Sequence, residues 1–229
     1  WHCATNNPAG GTVRLNRMEI LGFATGPYKT NCYVLVDGEH ATIIDPGMHA
    51  ATHLIDYFTE HHIEPERILL THGHIDHTRD AGILAARYRI PVYIHEADAF
   101  MLTDGSGVSP ESLILFDTKN MTPIADLRFY QHEDTLDIGE MRLVIKHAPG
   151  HSPGSVMLVG DAVAFTGDVL FKGSIGRTDL ADSSPADMDN TLSKQVMGLS
   201  DDLQVLPGHG ATTTVRAEKR SNPFLADYA

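Results

Sequence analysis

Thr71-His72-Gly73-His74-Ile75-Asp76-His77-Thr78 packs three histidines and a carboxylate into six consecutive positions. Neutral imidazole suits zinc, and imidazole with carboxylate suits iron or manganese, so this mixed set fits a divalent metal of intermediate hardness. His72 and His74 are two apart, and on an extended strand end they point the same way. Asp76 and His77 follow where the chain can turn into a helix and address a neighbouring point. One short segment can therefore serve two adjacent metal positions.

Outward from this cluster, residues 67–70 form a short buried strand that delivers it at the C-terminal end. Upstream, residues 19–23, 32–36 and 41–44 are rich in β-formers and separated by Gly, Pro, Asn and Asp-Gly turns, with Asp37-Gly38 predicting a hairpin. Residues 50–62 carry Leu54, Ile55 and Phe58 at helical spacing, and residues 80–89 form a second helix followed by a strand at 91–94. Further strands are expected at 127–131, 135–138, 142–147, 155–159, 162–166 and 205–206. Helices are expected at 185–199, opened by Ser184 with Pro185 just inside it, and at 214–220. Residues 103–123, rich in Gly, Ser, Pro, Asp and Asn, read as a long loop poised as a lid. These elements describe one α/β domain over residues 18–229, a sheet sandwich with flanking helices.

Three more segments repeat one design, an apolar strand running into a turn that carries a metal-type residue. They are His147-Ala148-Pro149-Gly150-His151-Ser152-Pro153-Gly154, Val163-Ala164-Phe165-Thr166-Gly167-Asp168 and Val205-Leu206-Pro207-Gly208-His209-Gly210. Four strand ends bearing ligands would converge on one edge of a sandwich.

In order and spacing these four segments, with Ile43-Ile44-Asp45-Pro46-Gly47, resemble the metallo-β-lactamase-fold hydrolases from about residue 18 onward. The stretch Gly167-Asp168-Val169-Leu170-Phe171-Lys172-Gly173-Ser174-Ile175-Gly176-Arg177-Thr178-Asp179-Leu180 is similar to the short glyoxalase II branch. The resemblance implies a four-layer αββα sandwich and two divalent metal ions, Zn2+ first, with iron or manganese as alternatives. His72, His74 and His151 would hold one metal, Asp76, His77 and His209 the other, and Asp168 would bridge them. Asp45 would hold ligand loops in place, and Arg177 and Lys172 would meet the substrate. The implied reaction is hydrolysis of a small anionic thioester by a hydroxide bridging the metals, with Asp76 and Asp168 at the reacting centre. Two alternatives share the frame. One is a persulfide dioxygenase with a single iron on His72, His151 and Asp168, and the other is a lactone or other ester hydrolase. The helical domain with which longer glyoxalase II enzymes bind glutathione is expected to be absent after His209.

Composition narrows the partners. A net charge of −13 and a pI near 5.4 argue against nucleic acid or an anionic membrane surface, both of which need a basic footprint. No apolar run is long enough to span a bilayer. Cys3 and Cys32 make no disulfide framework, so a cytoplasmic setting is expected, with Cys32 a small buried hydrophobe. Residues 1–17, small, polar and opened by Trp1, are expected to be an extension or tag outside the fold. His95 and His147 are expected to be structural, and His49, His53, His61 and His62 to lie on a solvated helix face.

Overall fold

The computed structural model describes residues 11–15 and 18–228. Strands β1 (Gly11–Leu15), β2 (Met18–Thr25), β3 (Thr30–Asp37) and β4 (His40–Ile44) form an antiparallel meander. Helix α1 (Ala50–His61) crosses to β5 (Glu64–Leu69), parallel to β4. Helices α2 (Ile75–Thr78) and α3 (Ala81–Tyr88) lead to β6 (Val92–His95), and α4 (Met101–Asp104) and α5 (Pro110–Leu115) to β7 (Leu127–Tyr130). The first sheet runs in sequence order from β1 to β7. The second begins with β8 (Thr135–Ile138), β9 (Met141–His147), β10 (Val156–Val159) and β11 (Val163–Gly167). A small hairpin, β12 (Leu170–Phe171) and β13 (Ser174–Ile175), and helix α6 (Pro185–Thr191) then lead to β14 (Gln204–Pro207), β15 (Thr213–Thr214) and α7 (Val215–Ser221). Within the second sheet β14 lies between β11, to which it is parallel, and β15.

Strand periodicity explains the layering. In β3, Val34 and Val36 face outward with Ile43, Ile68 and Val92, and α1 and α3 cover them with Leu54, Phe58 and Leu84. The alternate residues Tyr33 and Leu35 face inward, with Ile44 and Leu69, against Ile145, Leu158, Phe165 and Leu206 of the second sheet. On that sheet's far face Met157, Ala164 and Val205 pack under Met188, Leu192 and Val215. The central strands each feed two apolar layers, because successive side chains point to opposite faces. The result is the expected αββα sandwich.

Local expectations were corrected in three places. Residues 11–15, expected to lie outside the fold, form edge strand β1 on β2, while residues 1–10 and 16–17 lie outside the described residues. The stretch 103–123 holds helix α5, with Ser109 capping it through the Ser112 N–H and Pro110 at its first position, too short for a periodicity signal. The helix expected over 185–199 changes to a π-helical turn at Leu192–Val196, where the Ser193 hydroxyl bonds the Asp189 carbonyl. Cys32 is buried, and burial pushes its thiol well above the usual range. Among the described residues no helix is long and apolar enough to cross a membrane.

Candidate metal centre

The four ligand-bearing strand ends meet at one edge of the sandwich. After β5 the chain passes through His72 and Gly73. His74 then precedes the single turn of α2, which places Asp76 and His77 beside it. The turn between β9 and β10 supplies His151, the end of β11 supplies Asp168, and the end of β14 supplies His209. Three triads of donor atoms each fall within 4.8 Å: His72, His74 and His151; His72, His77 and Asp168; Asp76, His77 and His209. His77 Nε2 is 3.2 Å from Asp168 Oδ1 and 3.3 Å from His209 Nε2. Asp168 Oδ2 lies 3.4 Å from His151 Nε2 and 3.5 Å from His209 Nε2. Asp168 thus touches both groups of histidines.

Four of the five imidazoles are pinned by one nitrogen and aim the other inward. His77 Nδ1 bonds Asp45 Oδ2 at 2.9 Å, and His151 Nδ1 bonds the Arg177 carbonyl at 2.8 Å. His209 Nδ1 bonds the Tyr28 carbonyl at 3.2 Å, and His72 Nδ1 lies 3.2 Å from Thr71 Oγ1. Pinning a histidine in this way selects the tautomer whose free nitrogen can ligate. His74 presents Nδ1 instead, 2.8 Å from His151 Nε2. Two buried donor atoms, His72 Nε2 and Asp168 Oδ1, have no hydrogen-bond partner. Buried polar atoms are rarely left so, and an ion is a standard resolution. The donor set therefore fits divalent metal, with His, Asp and no thiolate.

Protonation agrees with that fit. Burial pushes His72 well below its ordinary range, with His77 and His74 adding to it, and burial with His151 brings His74 down to about 3. Both are neutral and free to ligate. Burial opposes the charge on Asp76, yet His77 and a hydrogen bond from His209 outweigh it and hold this carboxyl at about 2. Asp168 is likewise held well below the carboxylate range, its burial overcome by His77 and His209. His77 and His209 are raised despite burial, His77 mainly by Asp76 and Asp168, His209 mainly by Asp168. Their extra protons balance charge that a bound cation would balance instead, releasing protons on binding.

Asp45 belongs to none of the donor triads but anchors them. Following β4 with φ +50°, it accepts from Thr71 N at 2.8 Å and Thr71 Oγ1 at 2.6 Å besides holding His77. Gly47 is forced by the same packing, since a Cβ there would sit 2.1 Å from the Asp76 carbonyl oxygen. Gly208 answers a similar demand, because its Cβ would lie 2.3 Å from Asp168 Oδ1. Arg177 and Lys172 stand apart from the donors. The Arg177 guanidinium is exposed and paired with Asp179 at 2.6 and 2.9 Å, and Lys172 is exposed at the β12–β13 turn.

Sequence reasoning missed Asp98. Fully buried, it accepts from Gly73 N at 2.8 Å, Ser152 Oγ at 2.6 Å and Gly154 N at 2.5 Å. It ties the loop of His72 and His74 to the loop of His151. Nothing in Ala97-Asp98-Ala99 marks it, because its three donors are distant in sequence. His95 and His147 stack at 4.1 Å with their rings 3° from parallel, away from the donor triads.

The family profile for the metallo-beta-lactamase superfamily matches residues 25–209. The chain is 36% identical over 203 residues to hydroxyacylglutathione hydrolase GloC of Haemophilus influenzae, covering 86% of this chain and 93% of that one. Among solved structures it resembles the BLEG-1 B3 metallo-beta-lactamase, with TM-score 0.79 and 36% identity over 90% of this chain and 99% of the other. It also resembles TTHA1623 in a di-iron-bound form, with TM-score 0.75, 33% identity, and coverage of 90% and 100%. With the ligand-bearing strand ends gathered at one sandwich edge, the chain belongs to the metallo-beta-lactamase superfamily.

Proposed function

We propose that this metallo-hydrolase cleaves small anionic thioesters, releasing a hydroxy acid and a thiol in the manner of glyoxalase II. The observation that carries the proposal is the paired donor set, two histidine groups joined by Asp168, with two buried donor atoms that make no hydrogen bond. Similarity to the Haemophilus hydroxyacylglutathione hydrolase supports the thioester class. His72, His74 and His151 would hold one metal, Asp76, His77 and His209 the second, and Asp168 would reach both. Zinc is the first expectation, with iron or manganese compatible with the same donors. Such ions, when bound, supply Lewis acidity and a water that ionises near neutral pH.

The chain's own groups account for the rest. Asp45 and the Arg177 and Tyr28 carbonyls hold Nδ1 of His77, His151 and His209, so that each Nε2 faces the site. Asp76 and Asp168 stay ionised, and neither is available as a proton donor at neutral pH. A thiolate leaves without a proton, so a thioester suits a site lacking a general acid better than an amide does. Arg177 and Lys172, exposed beside the β12–β13 hairpin, would take the substrate's carboxylate once Arg177 exchanges Asp179 for it.

The test is turnover of S-lactoylglutathione by metal-analysed protein, beside oxygen uptake with glutathione persulfide. Rapid thioester loss with two metals per chain supports the proposal. Oxygen uptake with one iron and no thioester loss would replace it with a dioxygenase.

A further inference from the structure

Helix α5 and the residues after it, 110–120, are grasped from two sides, by a residue bonded to His209 and by one that directly follows the helix of Asp76 and His77. On one side stands Tyr28, in the turn between β2 and β3. Its carbonyl accepts from His209 Nδ1 at 3.2 Å, and its hydroxyl shares a 2.7 Å hydrogen bond with Ser112 Oγ. The Tyr28 ring packs edge-on against Phe116 at 5.0 Å. On the other side stands Arg79, directly after α2, which carries Asp76 and His77. Its Nε donates to the Phe116 carbonyl at 2.6 Å, and Nη2 donates to the Asp117 and Asn120 carbonyls, each at 3.3 Å.

Arg79 is only 8% exposed, and its Nη1 has no hydrogen-bond partner. The nearest carboxylate oxygen to it, on Asp80, is 3.9 Å away. Burying a guanidinium is costly, and here nearly all its hydrogen bonding goes to three carbonyls of one segment. A six-residue helix is marginal by itself, so its placement depends on such outside contacts. Both contacts lead back to the ligands Asp76, His77 and His209.

We propose that Tyr28 and Arg79 are positioning residues that couple the order of segment 110–120 to metal affinity at the Asp76, His77 and His209 half of the centre. The inference rests on the metal-hydrolase reading, though not on the thioester. Coupling of this kind is reciprocal: filling that half must quiet the segment, and loosening the segment must weaken that half. Among the described residues neither Tyr28 nor the Arg79 side chain hydrogen-bonds His72, His74 or His151, so that half should respond less.

The experiment titrates zinc into metal-free full-length protein against a competing chelator, with amide hydrogen exchange followed at zero, one and two equivalents. The variants are Arg79→Lys, Tyr28→Phe and Ser112→Ala. Tyr28→Phe keeps the backbone carbonyl on His209 and loses only the link to Ser112, so it serves where Arg79→Lys fails to fold. We expect exchange in 110–120 to slow at one zinc step only. In the variants, zinc should weaken by about tenfold or more at that same step, with the other unchanged. Identical exchange in 110–120 at all three zinc levels would overturn the inference, as would variants that bind both equivalents like the wild type. Wild-type protein binding fewer than two equivalents would instead refute the two-metal reading itself.

Discussion

Replacing Asp98 by alanine tests how the two ligand loops are held. The carboxylate joins Gly73 to Ser152 and Gly154 through three short hydrogen bonds in a fully buried place. In Asp98→Ala the Gly73 and Gly154 N–H groups lose their acceptor, while the Ser152 hydroxyl can still turn to Ser155 Oγ, 2.7 Å away. Each buried donor left bare costs about 1–3 kcal/mol, giving about 2–6 kcal/mol for two. Part is returned, because burial disfavours this carboxylate and raises its pKa against the pull of Ser152 and the two N–H groups. A net loss of about 2–4 kcal/mol is expected, or roughly 4–16 °C in Tm for a chain of this size. The measurement is the denaturant midpoint and Tm of metal-free protein, so that metal linkage does not enter. Zinc affinity is measured separately and should fall by about tenfold to a hundredfold. Metal-free Asp98→Ala within about 0.5 kcal/mol of wild type would refute the packing argument. A destabilised variant with unchanged zinc affinity would refute the claim that Asp98 positions the ligand loops.

His74→Ala and Asp168→Ala should each abolish hydrolysis together with loss of bound metal, read by metal analysis beside turnover; full activity after chelation of Asp168→Ala would sink the scheme. Gly208→Ala should do nearly the same without removing a ligand, because its Cβ would sit 2.3 Å from Asp168 Oδ1; normal metal content would count against the geometry. Arg177→Ala should raise KM for an anionic thioester with a smaller fall in kcat, and an unchanged KM would remove this side chain from the substrate site. Burial, with His147 beside it, pushes His95 down to about 4 from an ordinary 6.5. The unfolded chain therefore takes up this proton first. Stability from neutral His95 is complete above about pH 6.5 and is lost as pH falls toward 4. Metal-free His95→Gln should show a shallower acid limb in denaturant midpoints between pH 7 and pH 5, and an identical limb would rule out this cause.

Much of the fold was legible because strand alternation and helix periodicity are local properties. Val34 and Tyr33 announce opposite faces by adjacency alone, and the histidine spacing around residues 72–77 implies a strand end turning into a helix. Repetition of one design at His151, Asp168 and His209 told which residues gather, since an apolar strand ending in a ligand can place it only at the sheet edge. Helix α5 was harder to see, because one and a half turns carry too few residues for a period to show.

Contacts between distant segments were decided by the tertiary structure alone. Asp98 bonds donors 25, 54 and 56 residues away, and Arg79 reaches carbonyls 37 to 41 residues on. A hydrogen bond across such separations leaves no pattern in either flank. It depends on where two loops end after the sandwich closes, and on whether a buried group then has another partner. Residue type and spacing named the side chains that gather at the candidate metal centre. Their pinned tautomers and the supports behind them exist only once the sheets are packed.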